Sequence, residues 1–218
     1  MDKQKGFSID EAIKFGWQSF KTRPGFYIAF FVVAYLITLV PNALMSYFSG
    51  KGADGLAFVF LVVTWVVSLL VAIGMMRLSL NVADKKTASW NDLTAQANLF
   101  GKVLGASILY GLIVMAGTIL LIIPGIIWAI KYSQFLFVIL DEKDIGMMDS
   151  LKRSGEITQG AKGMLFVLAI VLVLLNLVGM LALLVGLLVT YPITYFAQAH
   201  VYRTLATQTP KSSAAQSA

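Results

Sequence analysis

Five polar residues lie inside long apolar stretches of this sequence and are the residues whose types could form a polar site. Lys131 lies within an apolar run, and Gln134 follows it by about one helical turn. Asn176, Tyr195 and Gln198 lie in the last two apolar runs. A lysine at the centre of a bilayer costs at least about 2.5 kcal/mol on insertion scales, so such groups usually face a bundle interior or a water-filled cavity. The five residues therefore predict a polar cavity for an anionic head group or a solute.

Lys131 also has a simpler interpretation. If the short apolar run that contains it sits shallowly in the membrane, the side chain can extend along its aliphatic stem to the interface, or it can donate to carbonyl groups beside Pro124. The sequence leaves both interpretations open.

The titratable residues show no catalytic or metal-binding pattern. His200 is the only histidine, there is no cysteine, and no acidic residue lies inside the predicted spans. General acid–base catalysis needs paired titratable groups in a sheltered site, and the zinc-binding spacing H-E-x-x-H is absent. We therefore expect a non-enzymatic protein without a cofactor or a metal.

An acidic cluster follows the fourth apolar run. Its members are Asp141, Glu142, Asp144 and Asp149. We interpret it as a solvated loop followed by a helix start, because a carboxylate near a helix N-terminus is favourable. Binding of a divalent cation is the alternative.

The composition determines which elements must position these residues. The 218 residues are 58% apolar and 13% charged, whereas soluble domains are roughly half apolar and about a quarter charged. About 20 apolar residues cross a bilayer as a helix. We therefore predict an all-α polytopic membrane helix bundle, formed as one domain over residues 1–207. Its six transmembrane helices pair as three hairpins and cover residues 26–47, 56–78, 103–123, 126–140, 164–184 and 187–202.

The distribution of cations predicts the orientation of these spans. Of the 17 lysines and arginines, Lys51 lies on one proposed side and Lys131 within a span. The positive-inside rule then places both termini in the cytoplasm. Since the cations lack interleaved aromatic residues, we expect no nucleic-acid partner. The fifteen cations on the other side are Lys3, Lys5, Lys14, Lys21, Arg23, Arg77, Lys85, Lys86, Lys102, Lys143, Lys152, Arg153, Lys162, Arg203 and Lys211.

Three amphipathic helices are predicted on the cytoplasmic surface, over residues 8–21, 89–101 and 146–158. Ser8 and Glu11 form a capping-box pattern before an apolar face of Ile9, Ile13, Trp17 and Phe20. Each of the three helices precedes a predicted hairpin. This order is compatible with internal threefold duplication, but any chain of helical hairpins has similar spacings.

Several segments resemble a known group of proteins. They are residues 12–21 (AIKFGWQSFK), 123–133 (IPGIIWAIKYS), 137–143 (FVILDEK) and 149–154 (DSLKRS). The group consists of uncharacterised bacterial integral membrane proteins similar to the membrane domain of glycerophosphodiester phosphodiesterases. The resemblance implies a six-helix bundle in a bacterial inner membrane, with no established activity. This chain lacks the soluble phosphodiesterase barrel, so that hydrolytic activity does not carry over.

Three functions remain open at the level of the sequence. The leading one is a non-enzymatic membrane protein that binds lipids with anionic head groups, or a protein partner, through its cytoplasmic helices. The second is a small transporter or channel with a polar cavity at Lys131. The third is membrane shaping, because the apolar runs at 126–140 and 187–202 are short for full crossings. Residues 208–218 are expected to be a disordered tail.

Overall fold

A computed structural model of the protein describes residues 6–182 and 185–210, and these residues form helices without any strand. The predicted all-α class is therefore confirmed. The end of the fifth predicted span and most of the predicted tail, residues 183–184 and 211–218, lie outside the described residues. The α-helices are α1 (Ile9–Thr22), α2 (Pro24–Gly50), α3 (Asp54–Ala83), α4 (Phe100–Leu120), α5 (Ile122–Lys131), α6 (Phe135–Asp141), α7 (Met147–Ile157), α8 (Lys162–Leu181) and α9 (Leu187–Thr207).

Five helical stretches within the described residues are long and apolar enough to cross a membrane. They are Pro24–Gly50, Asp54–Ala83, Trp90–Leu120, Ile122–Asp141 and Lys162–Leu181. The protein is therefore a polytopic membrane protein. The end of the bundle where α3 and α9 finish and where α4 and α8 begin is called the basic end below, because most cations of the chain cluster there.

The sixth predicted span, residues 187–202, does not belong to this set, which holds five helical stretches among the described residues where the sequence predicts about six. Helix α9 contains Thr190, Thr194 and Gln198 and is less apolar than the others. It packs against α1, α2, α3, α7 and α8, and one side of almost every turn is buried. Since neighbouring helices rather than lipid surround it, α9 can carry polar side chains.

The fourth predicted span, residues 126–140, is not one continuous helix. Helix α5 starts at Ile122 after the extended residue Leu121, so the turn lies before Pro124 rather than at Pro124–Gly125. Proline is tolerated there because the first turn of a helix has no intrahelical partners for its amides. Helix α5 then ends at Lys131, and α6 begins at Phe135. Ten residues span only about 15 Å, so α5 alone is about half of a crossing.

Helix α1 confirms the helix that was predicted over residues 8–21. The Ser8 hydroxyl accepts a hydrogen bond from the amide of Glu11 at 3.2 Å, as the capping pattern indicated. Its buried residues are Ala12, Gly16 and Phe20, and they face α9 rather than lipid. A Cβ atom at Gly16 would lie 2.6 Å from the carbonyl oxygen of Ile193, so glycine permits the close approach of α1 and α9.

The second predicted surface helix, residues 89–101, was wrong as an α-helix. Two short 3₁₀ helices, Trp90–Leu93 and Ala97–Leu99, occupy the segment, and α4 begins only at Phe100. The Asp92 carboxylate accepts hydrogen bonds from the backbone amide of Ser89 at 2.9 Å and from the side-chain amide of Asn81 at 2.8 Å. These bonds hold the segment against the end of α3 and compete with a regular helix.

The third predicted surface helix, residues 146–158, is present as α7, and it buries one of its faces in the protein. Leu151, Arg153, Ser154 and Ile157 are all buried on α7, while Met147 is about half exposed. Helix α7 packs against α4, α6 and α9. It therefore forms part of the bundle rather than a helix floating on the membrane surface.

The first residues of the predicted tail are ordered, contrary to the expectation for 208–218. Thr209 is buried, and the Gln208 side chain exchanges two hydrogen bonds with the backbone of Gly6. Both ends of the described chain are therefore held together at the basic end.

Candidate functional site

The turn between α5 and α6 is held by α7, and this arrangement places Lys131 and Gln134. The carbonyl oxygen of Lys131 accepts hydrogen bonds from Ser154 Oγ at 3.1 Å and from Thr158 Oγ1 at 2.9 Å. The amide nitrogen of Gln134 donates to the same Ser154 hydroxyl at 3.1 Å. The Ser154 hydroxyl therefore donates to one backbone carbonyl and accepts from one backbone amide. The helix break leaves both backbone groups without partners inside a helix.

The side chain of Lys131 points along α7 and not into a cavity with the other predicted residues. Its ammonium group lies 4.9 Å from the centre of the Tyr132 ring, a cation–π distance. Its stem passes Gly155, where a Cβ atom would lie 3.0 Å from Lys131 Cε. Lys131 is half-buried. Since α8 begins five residues after Ile157, this lysine lies close to the level of the basic end.

Gln134 and Gln198 line the same cavity, which has a volume of about 320 Å³ and lies between α5, α8 and α9. We call it the amide cavity. It contains two side-chain carboxamides and one hydroxyl in an otherwise aliphatic wall. Its lining residues are Ile126, Ala129, Ile130, Ser133, Gln134, Leu165, Leu168, Ala169, Leu172 and Gln198.

The orientation of the Gln134 carboxamide follows from its hydrogen bonds. The Ser133 hydroxyl donates its hydrogen to the carbonyl oxygen of Ile130 at 2.9 Å, so toward Gln134 it can only accept. Gln134 Nε2 donates to that hydroxyl at 3.1 Å. Gln134 Oε1 is therefore the atom left over, and it is buried without a hydrogen-bond partner in the described protein.

Asn176 and Tyr195 lie outside the amide cavity. Asn176 Nδ2 donates to the carbonyl oxygen of Leu172 at 2.9 Å and to Thr194 Oγ1 at 3.0 Å. This amide therefore ties α8 to α9. The Tyr195 ring packs edge-on against Phe31 with 5.6 Å between the ring centres. The five residues predicted as one polar cavity thus occupy four places: Lys131 beside α7, Gln134 and Gln198 in the amide cavity, Asn176 between two helices, and Tyr195 in a groove between α2, α3 and α9.

That groove lies between α2, α3 and α9 and has a volume of about 490 Å³. We call it the flank groove. Its wall is mostly apolar, with a few hydroxyl groups from tyrosine, threonine and serine. The lining residues are Phe31, Ala34, Tyr35, Thr38, Ser68, Val71, Ala72, Met75, Leu187, Leu188, Tyr191 and Tyr195. Ligand pockets of this volume and character usually take apolar molecules with few polar atoms.

A network of ion pairs at the basic end was not predicted from the sequence. Arg203 Nη1 lies 2.6 Å from Asp141 Oδ1, and Arg203 Nη2 donates to Asp84 Oδ2 at 2.8 Å. The Tyr202 hydroxyl donates to Asp141 Oδ2 at 2.9 Å. Burial raises the pKa of the Tyr202 hydroxyl, and the adjacent Asp141 carboxylate raises it further, so this group remains a donor. Helices α3, α6 and α9 are joined by these contacts.

Arg153 forms a second buried centre at the same end. Its side chain is only 5% exposed. Its guanidinium nitrogens bond the carbonyl oxygens of Pro210 at 2.6 Å and Thr209 at 3.1 Å, and the Glu156 carboxylate at 3.1 Å. Glu142 Oε1 lies 3.5 Å from Nε. Two members of the acidic cluster, Asp141 and Glu142, are therefore paired with arginines rather than free in a solvated loop.

The titratable groups of the described residues form no metal-binding group of three or more histidine, cysteine or acidic side chains. His200 is half-buried, and its ring stacks on Phe15 with 4.4 Å between the ring centres. Asp149, another member of the acidic cluster, lies in the first turn of α7 and pairs with Lys152 at 3.1 Å. The Asp149–Lys152 pair thus lies within one helix, whereas the ion pairs of Arg203 and Arg153 reach other elements.

Comparison of the chain with protein-family models, curated proteins and solved structures finds no match. The resemblance to the membrane domain of glycerophosphodiester phosphodiesterases therefore stays a prediction. Function has to be argued from the geometry of the two cavities and of the basic end.

Proposed function

We propose that this protein is a non-enzymatic membrane protein that binds lipids, with an acyl chain in the flank groove. The observation that carries the proposal is the groove itself, an apolar cavity of about 490 Å³ on the side of the bundle. The groove opens on the surface of the bundle between α2, α3 and α9. Of these helices, α2 and α3 are candidate membrane spans. A lipid tail is the apolar ligand that is always present there.

The depth of the groove supports an acyl chain as its occupant. Phe31 and Thr38 lie about 10 and 21 Å along α2 from Pro24, given a rise of about 1.5 Å per residue. Because the hydrocarbon core of a bilayer is about 30 Å thick, these positions correspond to its middle part. The exposed residues Tyr35, Leu36 and Ile37 continue the apolar surface beside the groove.

The cations supply the second part of the proposal. We place the basic end at the cytoplasmic face of the membrane, with both termini in the cytoplasm, because cytoplasmic loops carry an excess of lysine and arginine. The resemblance implies that this membrane is a bacterial inner membrane. Exposed Lys21 and Lys86 at this end would attract anionic head groups. The attraction should weaken as salt screens the charges.

Filling the groove tests its role. Ala72→Phe introduces a ring into the groove wall and should remove phospholipids that remain bound in native mass spectra of the detergent-purified protein. Ala43→Phe is the matched control, because Ala43 is exposed on α2 and does not line the groove. Equal lipid retention by both variants, with melting temperatures near that of the wild type, would contradict the proposal.

The two alternative functions have different support. A small transporter or channel built around Lys131 would need this lysine on the wall of a cavity, whereas its side chain lies along α7 and Tyr132. Membrane shaping is supported by the short α5, because ten helical residues extend only about 15 Å before the helix breaks. A shaping protein would tubulate or remodel vesicles at high density, a property that lipid retention does not require.

A further inference from the structure

The amide cavity differs from the flank groove in carrying hydrogen-bonding groups inside an aliphatic wall. Gln134 is 6% exposed, and its Oε1 atom is buried without a partner among the described residues. A buried amide oxygen without a hydrogen bond costs about 1–3 kcal/mol. Most such groups in native proteins are satisfied by protein, water or a ligand. Gln134 therefore has an unpaired acceptor oxygen, which is buried in this rotamer, and the residue itself lines the cavity.

Gln198 offers a second polar group on the wall of the amide cavity. Its side chain is half-buried on α9 and makes no hydrogen bond to another described residue. A carboxamide supplies two donors and an acceptor. The two glutamines can therefore hold a group that both donates and accepts, and hydroxyl groups do this.

The charge of the wall limits the chemistry of the ligand. No acidic or basic side chain is found among the described residues that line the cavity. A phosphate, a carboxylate or an ammonium group would be a buried charge without a partner, which is strongly unfavourable. The polar part of the ligand is therefore neutral.

The remaining wall and the depth point to a lipid. Leu165, Leu168 and Leu172 form one apolar side along α8. They lie about 5 to 15 Å from Lys162 along the helix, within the leaflet next to the basic end. A molecule at this depth with an apolar tail and a neutral hydroxylated head matches both sides of the cavity.

We propose that the amide cavity binds the head of a neutral hydroxylated lipid of the monoacylglycerol class, held by hydrogen bonds to the carboxamides of Gln134 and Gln198. A rotation about the soft terminal torsion of Gln134 gives up the bond from Nε2 to the Ser133 hydroxyl and presents Oε1 to a ligand hydroxyl. The acyl chain lies along Leu165, Leu168 and Leu172. This site is separate from the flank groove and does not depend on lipid binding there.

Photolabelling of the full-length protein in nanodiscs tests the site. The probe is a monoacylglycerol with a diazirine in its acyl chain, and labelled peptides are mapped by mass spectrometry. We expect label on residues 126–134 and 165–172. The double variant Gln134→Leu with Gln198→Leu should reduce the label about tenfold, since two hydrogen bonds are lost. Ala72→Phe in the flank groove is the control and should leave the label in place.

Competition between the probe and unlabelled lipids for the wild-type protein tests the site without depending on how the variants fold. Unlabelled monooleoylglycerol should displace the probe, whereas methyl oleate, which has no donor, and oleoyl lysophosphatidic acid, which is charged, should compete about tenfold less well. Equal competition by methyl oleate would mean that only the apolar wall binds, and would overturn the proposal. Label that disappears in Ala72→Phe, or that persists in a folded double variant, would overturn it as well. Failure of Ala72→Phe to lose phospholipid would affect only the flank groove.

Discussion

Arg203 on α9 and Asp141 at the end of α6 form an ion pair with 2.6 Å between Nη1 and Oδ1. The same guanidinium reaches Asp84, which follows α3. Two carboxylates from different helices therefore share one arginine, and its planar fork can serve both at once. The contact closes the basic end of a bundle in which lipid provides no hydrophobic force between helices.

Replacing this arginine should destabilise the fold. Arg203→Leu leaves Asp84 and Asp141 without their shared cation, and we expect a loss of about 1–3 kcal/mol, reduced from the fully buried case because the side chain is 25% exposed. Thermal melts in detergent measure the change. Lys152→Leu is the control, because the Lys152–Asp149 pair is exposed and should contribute less than about 1 kcal/mol. Similar melting temperatures for the two variants would show that the Arg203 contacts contribute little.

Arg153 should control the order of the chain end. Arg153→Met removes the donors to the carbonyl oxygens of Thr209 and Pro210, and it leaves Glu142 without its cation. We expect faster cleavage near residue 208 by a non-specific protease, together with a loss of about 2–4 kcal/mol. Arg153→Lys keeps the charge but not the fork, and should fall between the wild type and Arg153→Met. Cleavage of Arg153→Met at the wild-type rate would contradict this role of the arginine.

The long apolar helices could be predicted from the sequence because length and composition suffice to identify them. Helices α2, α3, α4 and α8 all lie where apolar runs predict them. The environment of α9 could not be read in the same way. Its apolar run resembles a span, but its mixture of threonine, tyrosine and glutamine reflects contact with five other helices, and that contact depends on the tertiary fold.

The candidate site was predicted only in part, because its geometry also depends on contacts made in the tertiary fold. Gln134, in the turn after α5, and Gln198, on α9, line the same cavity, as predicted for two of the five residues. Lys131 does not join them, since the break after α5 turns its side chain toward α7. The break itself depends on Ser154, which lies 23 residues from Lys131 in the sequence. No local pattern reports such a contact.

Alanine substitutions at two glycines separate the effect of helix packing on stability from the effect of helix propensity. A Cβ atom at Gly74 would lie 2.6 Å from Leu93 Cα, so Gly74→Ala should push the 3₁₀ segment away from α3 and cost about 1–3 kcal/mol. Gly111 has nothing within 4 Å of such an atom, so Gly111→Ala should be neutral or gain up to about 1 kcal/mol. Thermal melts compare the two variants. The opposite order of stabilities would show that α3 and the segment are not in close contact.

The proposed orientation predicts a labelling pattern in intact cells. Cysteines introduced at Lys51 and Ile122 should react with an impermeant reagent from outside, whereas cysteines at Lys86 and Lys143 should react only after the membrane is opened. Ile122 is 70% exposed and suits this purpose. Gly125 does not, because a side chain there would meet Thr118. Reaction of the second pair in intact cells would reverse the orientation.

The last prediction separates the backbone role of Lys131 from a role of its charge. Ser154→Ala removes the hydroxyl that donates to the Lys131 carbonyl and accepts from the Gln134 amide. It should cost about 1–3 kcal/mol, because the Gln134 amide is left without a partner, while the Lys131 carbonyl keeps its bond from the Thr158 hydroxyl. Lys131→Met keeps the carbonyl and most of the apolar stem, so its stability should stay within about 1 kcal/mol of the wild type.

Photolabelling of the amide cavity in these two variants distinguishes the two roles of Lys131. Lys131→Met should also leave photolabelling of the amide cavity unchanged, because the lysine does not line it. Ser154→Ala should lower both the melting temperature and the label, since it loosens the turn that positions Gln134. Loss of label in Lys131→Met at unchanged stability would instead place the ammonium group at the ligand. That result would restore the polar cavity centred on Lys131.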